Sequence, residues 1–519
     1  MSPRPLPTAP ACGSSRVLSF VHVLEWRAAV HPGAVALTDH LGAELTYAGL
    51  AAAMDRSAAQ YAAAGIRPGD VVPVIARNQV GWVTAMFGLI RAGALPAAVS
   101  WRLAEPEAAA LLALMQPRAI LADDDCTALA GHVAAALDDG VPVLKVPGPR
   151  PGNGAPAVPP ERPAGRLRGP EPAILLHTSG TTGKPKLVPL THQQLIAAVV
   201  FMNLEVPEAA PGARHLSALP LFHVAGLANL SYVLFTGGHL HLLGGFDPAG
   251  FVDELAGRRI QLTQLVPTLI QAVTAEVASR AVRPDLSHLA EIVYGASPIR
   301  PDVLERAVTV LGCRFRQNYA SSETGPLPIC SLPPEDHDPA RGRLATAGRP
   351  SLGWEVRLGE RSEIQVRGAF PLPGYWRDPE ASAAALTPDG FYRTGDVGVM
   401  DADQYVTIID RLTDVVISGG ENVFPAEVEA VLARHPCVVE AAVIGIPDER
   451  WGESVHAIVV AGPGLELAEL AGWARERLAG FKCPASVSVV PELPRNATGK
   501  VLRAALREPF WAGRDRRVS

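Results

Sequence analysis

A run of hydroxyl-bearing residues, glycines and lysines is the segment of this sequence whose residue types most clearly suggest chemistry. In order, its residues are Thr178, Ser179, Gly180, Thr181, Thr182, Gly183, Lys184, Pro185 and Lys186. Glycines let the backbone wrap around an anion, hydroxyls donate hydrogen bonds and lysines supply positive charge. The run therefore predicts a loop that binds a triphosphate. The alternative is a mobile polar turn, and the Walker A spacing of kinases and motors is absent.

Three shorter segments further along the chain also place polar side chains beside glycines or aromatic rings. They read QNYASSE (317–323), YRTGD (392–396) and PRNATGKVLR (494–503). Taken singly, such segments are more often turns or solvated loops than sites, and a lone lysine is usually exposed on a charged surface. Their order after the hydroxyl-rich loop is what makes them informative.

Together these segments resemble the adenylate-forming superfamily, which includes acyl-CoA synthetases, peptide-synthetase adenylation domains and luciferases. Stand-alone acyl-CoA and aryl-CoA synthetases are the most similar in motif, and the resemblance extends from about residue 20 to 505. It implies that the hydroxyl-rich loop cradles the pyrophosphate part of ATP. Leu187 stands where the family pattern usually continues with glycine.

The resemblance also implies roles for the segment 317–323. Tyr319 is expected to stack on adenine, Ser322 to hydrogen-bond the α-phosphate, and Glu323 to hold Mg²⁺. Asn318 belongs to the same nucleotide-binding stretch. Ala320 replaces a glycine, and its added methyl is expected to intrude on the adenine or acyl pocket.

By the same resemblance, Asp396 accepts hydrogen bonds from both ribose hydroxyls, a task for an acceptor-only group. Arg411 also reaches the ribose, and Asp410 is the hinge about which a small domain turns. Lys500 is the mobile cation that touches both the attacking carboxylate and the α-phosphate, which lowers the barrier through charge stabilisation.

Pocket residues for the acid are less sharply defined. The backbone segment expected to line the adenine and acyl pockets comprises Gly295, Ala296 and Ser297. The expected acyl pocket comprises Phe222, His223 as gate or carboxylate-side residue, Val224, Tyr294, Gly295, Ala320 and Ser321. These residues are mostly small and no acidic residue is evident to hold an ammonium group, which favours an apolar or aromatic monocarboxylate over an amino acid.

The segment SGGENVFPAEVE (418–429) is most similar to acyl-CoA synthetases. Its Gly419 and Gly420 would allow close approach of the pantetheine arm of CoA, and Lys482 would serve a phosphate of CoA. The family analogy implies that the small domain rotates after adenylation, withdrawing Lys500 and presenting the Gly419–Gly420 face.

The elements that position these residues follow from sequence periodicity. Apolar runs at 71–76 and 117–122 alternate with alanine-rich helical stretches such as 82–94, which predicts parallel strands covered by helices. A strand is predicted at 173–178, followed by a helix from His192 and further alternation. The proline-rich segment 147–172 is predicted to be a surface connector.

The predicted fold class is α/β. A large N-terminal body, 1–410, would contain two α/β subdomains and, within 346–405, a small barrel-like subdomain or sheet. A small, mobile α+β C-terminal domain, 411–519, would carry the catalytic lysine.

Composition excludes several classes of protein. The chain has 519 residues, with 46 Lys and Arg against 52 Asp and Glu and a net charge of −6, which argues against a nucleic-acid partner. Even the longest apolar runs, such as Leu195–Met202, are too short to span a membrane. The six cysteines form no C-x-x-C pair, which favours reduced thiols and a cytoplasmic location. A monomer or homodimer is expected.

The resemblance implies an ATP- and Mg²⁺-dependent ligase that makes an acyl-adenylate and then a CoA thioester. Transfer to an amine, or to an external carrier-protein thiol, remains an alternative, because the nucleotide motifs do not separate these acceptors. The acceptor is expected from outside, since no serine-bearing helix for a phosphopantetheine arm follows 503. A second hypothesis is a regulator that binds a nucleotide without catalysing a reaction. The presence of all the expected site residues argues against it, namely Glu323, Asp396, Arg411 and Lys500. A hydrolase is a poor candidate, because the sequence contains no G-x-S-x-G nucleophile motif.

Overall fold

A computed structural model of the protein describes residues 19–137, 140–148, 171–178, 185–205, 210–369, 372, 374–495 and 501–512. These residues form two compact units. The first comprises Met1–His177, Leu187–Gly245 and Gly325–Leu327, and the second comprises Thr178–Lys186, Phe246–Thr324 and Pro328–Ser519, in each case so far as described. Most of the predicted connector 147–172 lies outside the described residues.

The first unit alternates strands and helices. In chain order its elements are α1 (Phe20–Val30), β1 (Val35–Asp39), β2 (Glu44–Thr46), α2 (Tyr47–Ala63), β3 (Val71–Ile75), α3 (Val80–Arg91), β4 (Leu95–Val99), α4 (Glu105–Met115), β5 (Ile120–Ala122), α5 (Thr127–Ala136), β6 (Val143–Lys145), β7 (Pro172–Thr178), β8 (Lys186–Thr191), α6 (His192–Glu205), β9 (Arg214–Ser217), α7 (Val224–Thr236) and β10 (His239–Leu242).

Buried parallel strands form the core of this unit. One sheet has the order β6-β5-β3-β4-β7-β8, with β3 parallel to both β4 and β5. Every residue of β3 and β4 is buried, as expected of parallel strands covered on both faces. Strands β9, β10 and β1 are parallel neighbours, and β2 pairs antiparallel with β1.

Helix α3 corrects the predicted helix 82–94 at both ends. It begins at Val80 and ends at Arg91. Gly93 follows with a φ of 79°, the left-handed conformation that commonly terminates helices. Ala94 therefore leads into β4 instead of extending the helix.

The second unit starts with the same alternation and then becomes rich in strands. Its elements are α8 (Pro248–Gly257), β11 (Leu262–Leu265), α9 (Pro267–Ser279), β12 (Glu291–Gly295), α10 (Pro301–Leu311), β13 (Arg314–Tyr319), β14 (Cys330–Leu332), β15 (Arg349–Pro350), β16 (Trp354–Leu358), β17 (Glu363–Gly368), α11 (Pro379–Ala384), β18 (Tyr392–Met400), β19 (Val406–Arg411), β20 (Val416–Ser418), β21 (Glu421–Val423), α12 (Pro425–Leu432), β22 (Val438–Asp448), β23 (Gly452–Ala461), α13 (Leu467–Arg475), β24 (Ser486–Val490) and α14 (Arg503–Trp511).

Three groups of strands occur in this unit. Strands β11, β12 and β13 are parallel neighbours, and β14 and β15 continue antiparallel from β13. The predicted small barrel or sheet is a four-stranded antiparallel sheet, β16-β17-β18-β19. The last sheet has the order β21-β20-β23-β22, with β24 parallel to β23.

The last sheet has its own apolar core. Buried Val416, Val428, Val443 and Val455 belong to one cluster, to which α12 and α13 also contribute. Strand β19 ends at Arg411, and the first strand of the last sheet begins at Val416. A domain boundary after residue 410 stays a prediction.

None of the helices in the described part of the chain combines the length and hydropathy that a bilayer crossing requires. Five cysteines within that part are free thiols, namely Cys126, Cys313, Cys330, Cys437 and Cys483.

Candidate active site

Two predicted nucleotide-binding residues of the second unit, Tyr319 and Arg411, contact the carboxylate of a third, Asp396. Tyr319 ends β13, while Asp396 and Arg411 are opposite each other in the β18–β19 pair. The Tyr319 hydroxyl donates to Asp396 Oδ2 at 2.5 Å, and Arg411 Nε pairs with Asp396 Oδ1 at 2.6 Å. Asp396 is only 5 % exposed. Both carboxylate oxygens are therefore engaged, and each retains a lone pair for a further donor.

The contacts with Asp396 also change the pKa values of Tyr319 and Arg411. Burial, followed by the charge of Asp396, raises the pKa of Tyr319 well above its ordinary value. The Asp396 carboxylate is the main cause of a raised pKa for Arg411. The cluster therefore keeps a neutral phenol and a guanidinium on one carboxylate, an arrangement that can orient an aromatic ring and a pair of sugar hydroxyls.

The turn after β13 holds the next predicted residues. Ser321 and Thr324 cap one another, because Ser321 N donates to Thr324 Oγ1 at 3.1 Å and Thr324 N donates to Ser321 Oγ at 3.2 Å. Ala320, Ser322 and Glu323 are all half-buried in this turn. The reciprocal cap fixes the turn that carries them, and sequence reasoning did not include Thr324.

Glu323 contacts a tyrosine that sequence reasoning missed. Tyr375 donates its hydroxyl to Glu323 Oε1 at 3.3 Å. Lys186, the first residue of β8, places its Nζ 4.4 Å from the centroid of the Tyr375 ring. The short segment around Tyr375 carries no nucleotide motif, so its position beside Glu323 depends on a contact between distant parts of the chain.

The backbone beside Tyr319 leaves no room for a side chain at Gly295. Gly295 pairs with Asn318 across β12 and β13, and a Cβ there would lie 2.2 Å from the Asn318 carbonyl oxygen. The next residue, Ala296, has a φ of 71°, which costs a non-glycine residue about 1 kcal/mol or more. Strained backbone of this kind is concentrated at functional sites, and Ser297 follows it directly.

Two further predicted residues have identified partners. Ser331 Oγ donates to Asn318 Oδ1 at 3.2 Å. Tyr294, proposed for the acyl pocket, is fully buried, and its ring lies edge-on to Phe315 and His337. Burial lowers the pKa of His337 to about 4, so this packed aromatic cluster is uncharged at neutral pH.

The hydroxyl-rich loop is described only at its edges. Thr178 ends β7, and its buried Oγ1 has no hydrogen-bond partner among the described residues. Lys186 and the fully buried Leu187 begin β8. The intervening predicted residues, which lie outside the described residues, are Ser179, Gly180, Thr181, Thr182 and Gly183. An unpartnered buried hydroxyl at the loop entry is suited to a ligand oxygen.

The first unit carries the other residues that were predicted for the acyl pocket. Phe222 and Val224 are buried, and half-buried His223 caps α7 by accepting from Ala225 N at 3.5 Å. His177 stacks near the Phe222 ring, with centroids 6.4 Å apart. Burial lowers the pKa of His177 to about 4, so a neutral imidazole adjoins the pocket segment. Sequence reasoning missed His177, although it immediately precedes the hydroxyl-rich loop.

The predicted hinge residue binds the start of a helix. Asp410 accepts from Arg411 N and from Ala426 N, each at 2.8 Å. Asp410 is 7 % exposed, and burial is the main reason for its raised pKa. This contact joins the end of β19 to the first turn of α12.

Gly419, Gly420 and Lys482 lie in the C-terminal sheet region. Gly419 N donates to Trp451 O at 2.8 Å, and Gly420 is exposed beside it. Lys482 Nζ contacts both carboxylate oxygens of Glu427, at 2.7 and 2.8 Å. The lysine proposed for a CoA phosphate therefore already carries an internal counter-charge.

Lys500 lies outside the described residues. On its two sides, Arg495 pairs with Val501, and Leu502 N donates to Pro494 O at 2.8 Å. Arg503 then makes a two-pronged ion pair with Glu429, with the Nη2 atom 2.9 and 2.7 Å from the carboxylate oxygens. Arg495 Nη2 also contacts Glu440 Oε1 of β22 at 2.6 Å. Residues on both sides of 496–500 therefore contact elements of the C-terminal sheet region.

Comparison with known proteins shows which proteins this chain is similar to. A family model described as AMP-binding enzyme matches residues 24–376, and the model of the AMP-binding enzyme C-terminal domain matches residues 427–500. The chain is similar to a feruloyl-CoA synthase of Amycolatopsis, with 36 % identity over 93 % of this chain and 97 % of the relative.

Solved structures of similar chains include two kinds of ligase. The o-succinylbenzoate CoA synthetase of Bacillus subtilis, in complex with its acyl-adenylate intermediate, has 29 % identity and a TM-score of 0.82 over 93 % of this chain and 97 % of that one. The same synthetase has also been solved with ATP and magnesium. The amide bond synthetase McbA of Marinactinospora thermotolerans has 29 % identity and a TM-score of 0.81, covering 95 % and 99 % of the two chains.

Proposed function

The chain belongs to the family of AMP-binding enzymes, and from this premise we propose that it joins a carboxylic acid to CoA by using ATP. In the first half-reaction the substrate carboxylate attacks the α-phosphate, which gives an acyl-adenylate and releases pyrophosphate. In the second, the CoA thiol attacks the acyl carbon and AMP leaves.

The observation that carries this proposal is the convergence of Tyr319 and Arg411 on the buried carboxylate of Asp396. In the proposed complex, the Tyr319 ring stacks on adenine and Asp396 accepts from the ribose. Ser322 hydrogen-bonds the α-phosphate. Asn318 and the backbone of 295–297 line the same nucleotide site.

Glu323 suits a magnesium ion chemically. Its carboxylate is a hard oxygen ligand, and Mg²⁺ in nucleotide sites is typically held by one or two carboxylates together with substrate phosphates. The described residues contain no cluster of three or more acidic, histidine or cysteine side chains that would form an all-protein metal site. When bound, Mg²⁺ would neutralise charge on the triphosphate. Thr178, Lys186 and the loop between them are proposed for the phosphates.

For the mobile parts of the mechanism, Lys500 is proposed as the cation that stabilises charge during adenylation. Asp410 is proposed as the hinge for rotation of a domain that follows residue 410. After rotation, the Gly419–Gly420 face would admit pantetheine and Lys482 would bind a phosphate of CoA.

The acid is proposed to be an apolar or aromatic monocarboxylate. The expected pocket residues Phe222 and Val224 are apolar, and burial keeps the neighbouring His177 neutral. The similarity to a feruloyl-CoA synthase supports an aryl acid. His223, Tyr294, Ala320 and Ser321 remain proposals as lining residues.

Product analysis by mass spectrometry tests the reaction. Purified protein is incubated with ATP, Mg²⁺ and a pooled panel of aryl and aliphatic acids, with CoA, with amines, with a carrier protein, or with no acceptor. AMP together with a new acyl-CoA is expected and would name the acid. Absence of AMP with every acid and acceptor would contradict the adenylation proposal.

Amide formation is the second candidate, favoured by the similarity to an amide bond synthetase over nearly the whole chain. In that case AMP would form, CoA would not be consumed, and an amide would accumulate with an amine. A carrier-protein acceptor would instead give a protein-bound thioester.

We also propose a cytoplasmic location, which the free thiols of the described residues favour. The protein is further proposed to be a monomer or a homodimer. Light scattering after size exclusion would determine the oligomeric state.

A further inference from the structure

Tyr375 lies between two charged groups assigned to the phosphate end of ATP. Its hydroxyl donates to Glu323 Oε1 at 3.3 Å, and the face of its ring lies 4.4 Å from Lys186 Nζ. An ammonium over an aromatic face is attracted by the ring quadrupole. One neutral side chain thus contacts a carboxylate through its edge and a cation through its face.

The backbone of Tyr375 is hydrogen-bonded to a residue of α11. Tyr375 N donates to Ser382 Oγ at 2.8 Å, and Ser382 Oγ also contacts Asp378 O at 2.6 Å. Asp378 caps α11 by accepting from Ala381 N at 2.9 Å. Gly374 has a φ of 81°, and a Cβ there would lie 2.7 Å from Ser382 Oγ. The turn that presents Tyr375 is therefore built for close packing against the helix.

A second phenol supports the first. Tyr392, which is 6 % exposed, shares a hydrogen bond with Tyr375. Because Tyr375 gives its one proton to Glu323, the Tyr392 hydroxyl is the donor in that bond. Consecutive hydrogen bonds of this kind polarise and strengthen one another. The chain Tyr392 to Tyr375 to Glu323 therefore orients the Glu323 carboxylate.

The charges on either side of the ring stay apart. Within the described residues, no ion pair joins Lys186 to Glu323, and Glu323 Oε2 accepts no hydrogen bond. A direct pair would neutralise both groups and occupy the carboxylate. The phenol instead donates to Oε1 alone, so a metal ion bound at Oε2 would not have to displace it.

We propose that Tyr375 is a positioning residue for the metal and phosphate end of the nucleotide site, holding Glu323 through its hydroxyl and Lys186 through its ring. This inference rests on the proposed function, since it concerns the site at which that function places Mg²⁺ and the triphosphate. Tyr375 acts through Glu323 and Lys186 and does not itself contact the reacting atoms.

The test is equilibrium binding of ATP by calorimetry at increasing Mg²⁺, with AMP binding in metal-free buffer measured alongside. Tyr375→Phe keeps the ring over which Lys186 lies and removes only the donor to Glu323. The half-saturating Mg²⁺ concentration is expected to rise about tenfold, as for other lost hydrogen bonds to metal-ligating side chains. AMP binding is expected to stay unchanged, which also shows that the variant is folded.

Tyr405→Phe is the matched control. Tyr405 also donates its hydroxyl to a carboxylate, Asp336 Oδ2, at 2.6 Å, and it belongs to none of the proposed sites. This variant is expected to match the wild type in both titrations. Glu323→Gln is expected to shift the Mg²⁺ titration further, and adding Tyr375→Phe to it should change nothing more, because the two residues act as a pair.

The outcomes separate the inference from the function on which it rests. A Tyr375→Phe titration that coincides with the wild type would overturn the inference alone. Equal loss of AMP binding in Tyr375→Phe would also overturn it, because the residue would then support the fold and not the phosphate end. Wild-type ATP binding that does not respond to Mg²⁺ would instead overturn the proposed magnesium site.

Discussion

Asp396 is the residue that joins Tyr319 and Arg411 into one cluster, which is proposed to bind the nucleotide. Its two oxygens hold the Tyr319 hydroxyl at 2.5 Å and the Arg411 guanidinium at 2.6 Å. Asp396→Asn removes the negative charge while keeping the size of the side chain. Hydrogen bonds to a charged group contribute about 1.5–3 kcal/mol, so the dissociation constant for AMP should rise by about tenfold or more when measured by calorimetry.

Asp389→Asn is the control for that substitution. Asp389 also pairs with an arginine, Arg357, through two contacts at 2.6 and 2.9 Å, but it is exposed. Exposed pairs contribute little, so AMP binding should be unchanged. A wild-type AMP affinity in Asp396→Asn would refute the role given to Asp396.

At the residue scale, the sequence was informative where chemistry is confined to short segments. Tyr319, Asp396 and Arg411 were predicted from three separate segments, and the structure brings them together. Tyr375 and His177 were missed because their importance lies in contacts, with Glu323 and Phe222 respectively, that no local pattern encodes. The loop residues 179–183 and Lys500 stay predictions.

At the scale of elements, the β12–β13 pair tolerates no side chain at Gly295. A Cβ would lie 2.2 Å from the Asn318 carbonyl oxygen, so Gly295→Ala must push the two strands apart. Overpacking of this kind costs about 1–3 kcal/mol. The variant should show a lower urea midpoint and weaker AMP binding, because Asn318 adjoins Tyr319.

Gly257→Ala is the control, and its expected effect on stability is the opposite of that of Gly295→Ala. Gly257 ends α8, and nothing lies within 4 Å of a Cβ placed there. Alanine restricts the unfolded chain more than glycine does, which stabilises a helix by roughly 0.5–1 kcal/mol. The urea midpoint should therefore rise or stay constant. A Gly295→Ala variant as stable as Gly257→Ala would contradict the close approach.

Helices and strands were predicted well where the apolar periodicity and the glycine or proline residues that end an element indicated the same bounds. The predicted strand 173–178 is β7, which begins one residue earlier, at Pro172, and the helix predicted from His192 is α6. The predicted strand 117–122 shortens to Ile120–Ala122, because proline and charge at its start match no strand alternation. Which strands are neighbours was not predictable, since pairing depends on contacts between distant segments.

At the scale of the whole molecule, buried histidines are expected to lower the free energy of unfolding in acid. Burial, followed by the charge of His22, lowers the pKa of His192 to about 4, and burial also lowers the pKa of His177 to about 4. The unfolded chain, with histidine pKa values near 6.5, binds more protons than the folded chain between these values. The free energy of unfolding should hold above about pH 6.5 and fall as the pH drops towards 4.

His192→Asn tests the assignment. Asparagine can still accept the hydrogen bond that His192 Nδ1 takes from Phe20 N at 3.3 Å, but it does not titrate. The slope of unfolding free energy against pH should become shallower between pH 6.5 and 4, measured by denaturant unfolding at several pH values. Exposed His132→Asn serves as control. An unaltered slope in His192→Asn would refute this explanation.

Substitution of Lys500 should slow the first half-reaction much more than the second. If Lys500 stabilises charge during adenylation, Lys500→Ala should slow acyl-adenylate formation by about 100-fold or more. Transfer to CoA from supplied acyl-adenylate should be nearly unaffected in the same single-turnover assay. Lys482→Ala should behave in the opposite manner and raise the CoA requirement. Equal slowing of both steps in Lys500→Ala would contradict the division of roles.

The contact between Lys482 and Glu427 has a consequence for thiol selectivity. Because the lysine already holds an internal anion at 2.7 and 2.8 Å, an incoming phosphate would have to exchange with that carboxylate. Displacing Glu427 from Lys482 is more favourable for a doubly charged phosphate than for a neutral group. Coenzyme A would thus be distinguished from pantetheine by competition, and the discrimination should weaken as added salt loosens both pairs.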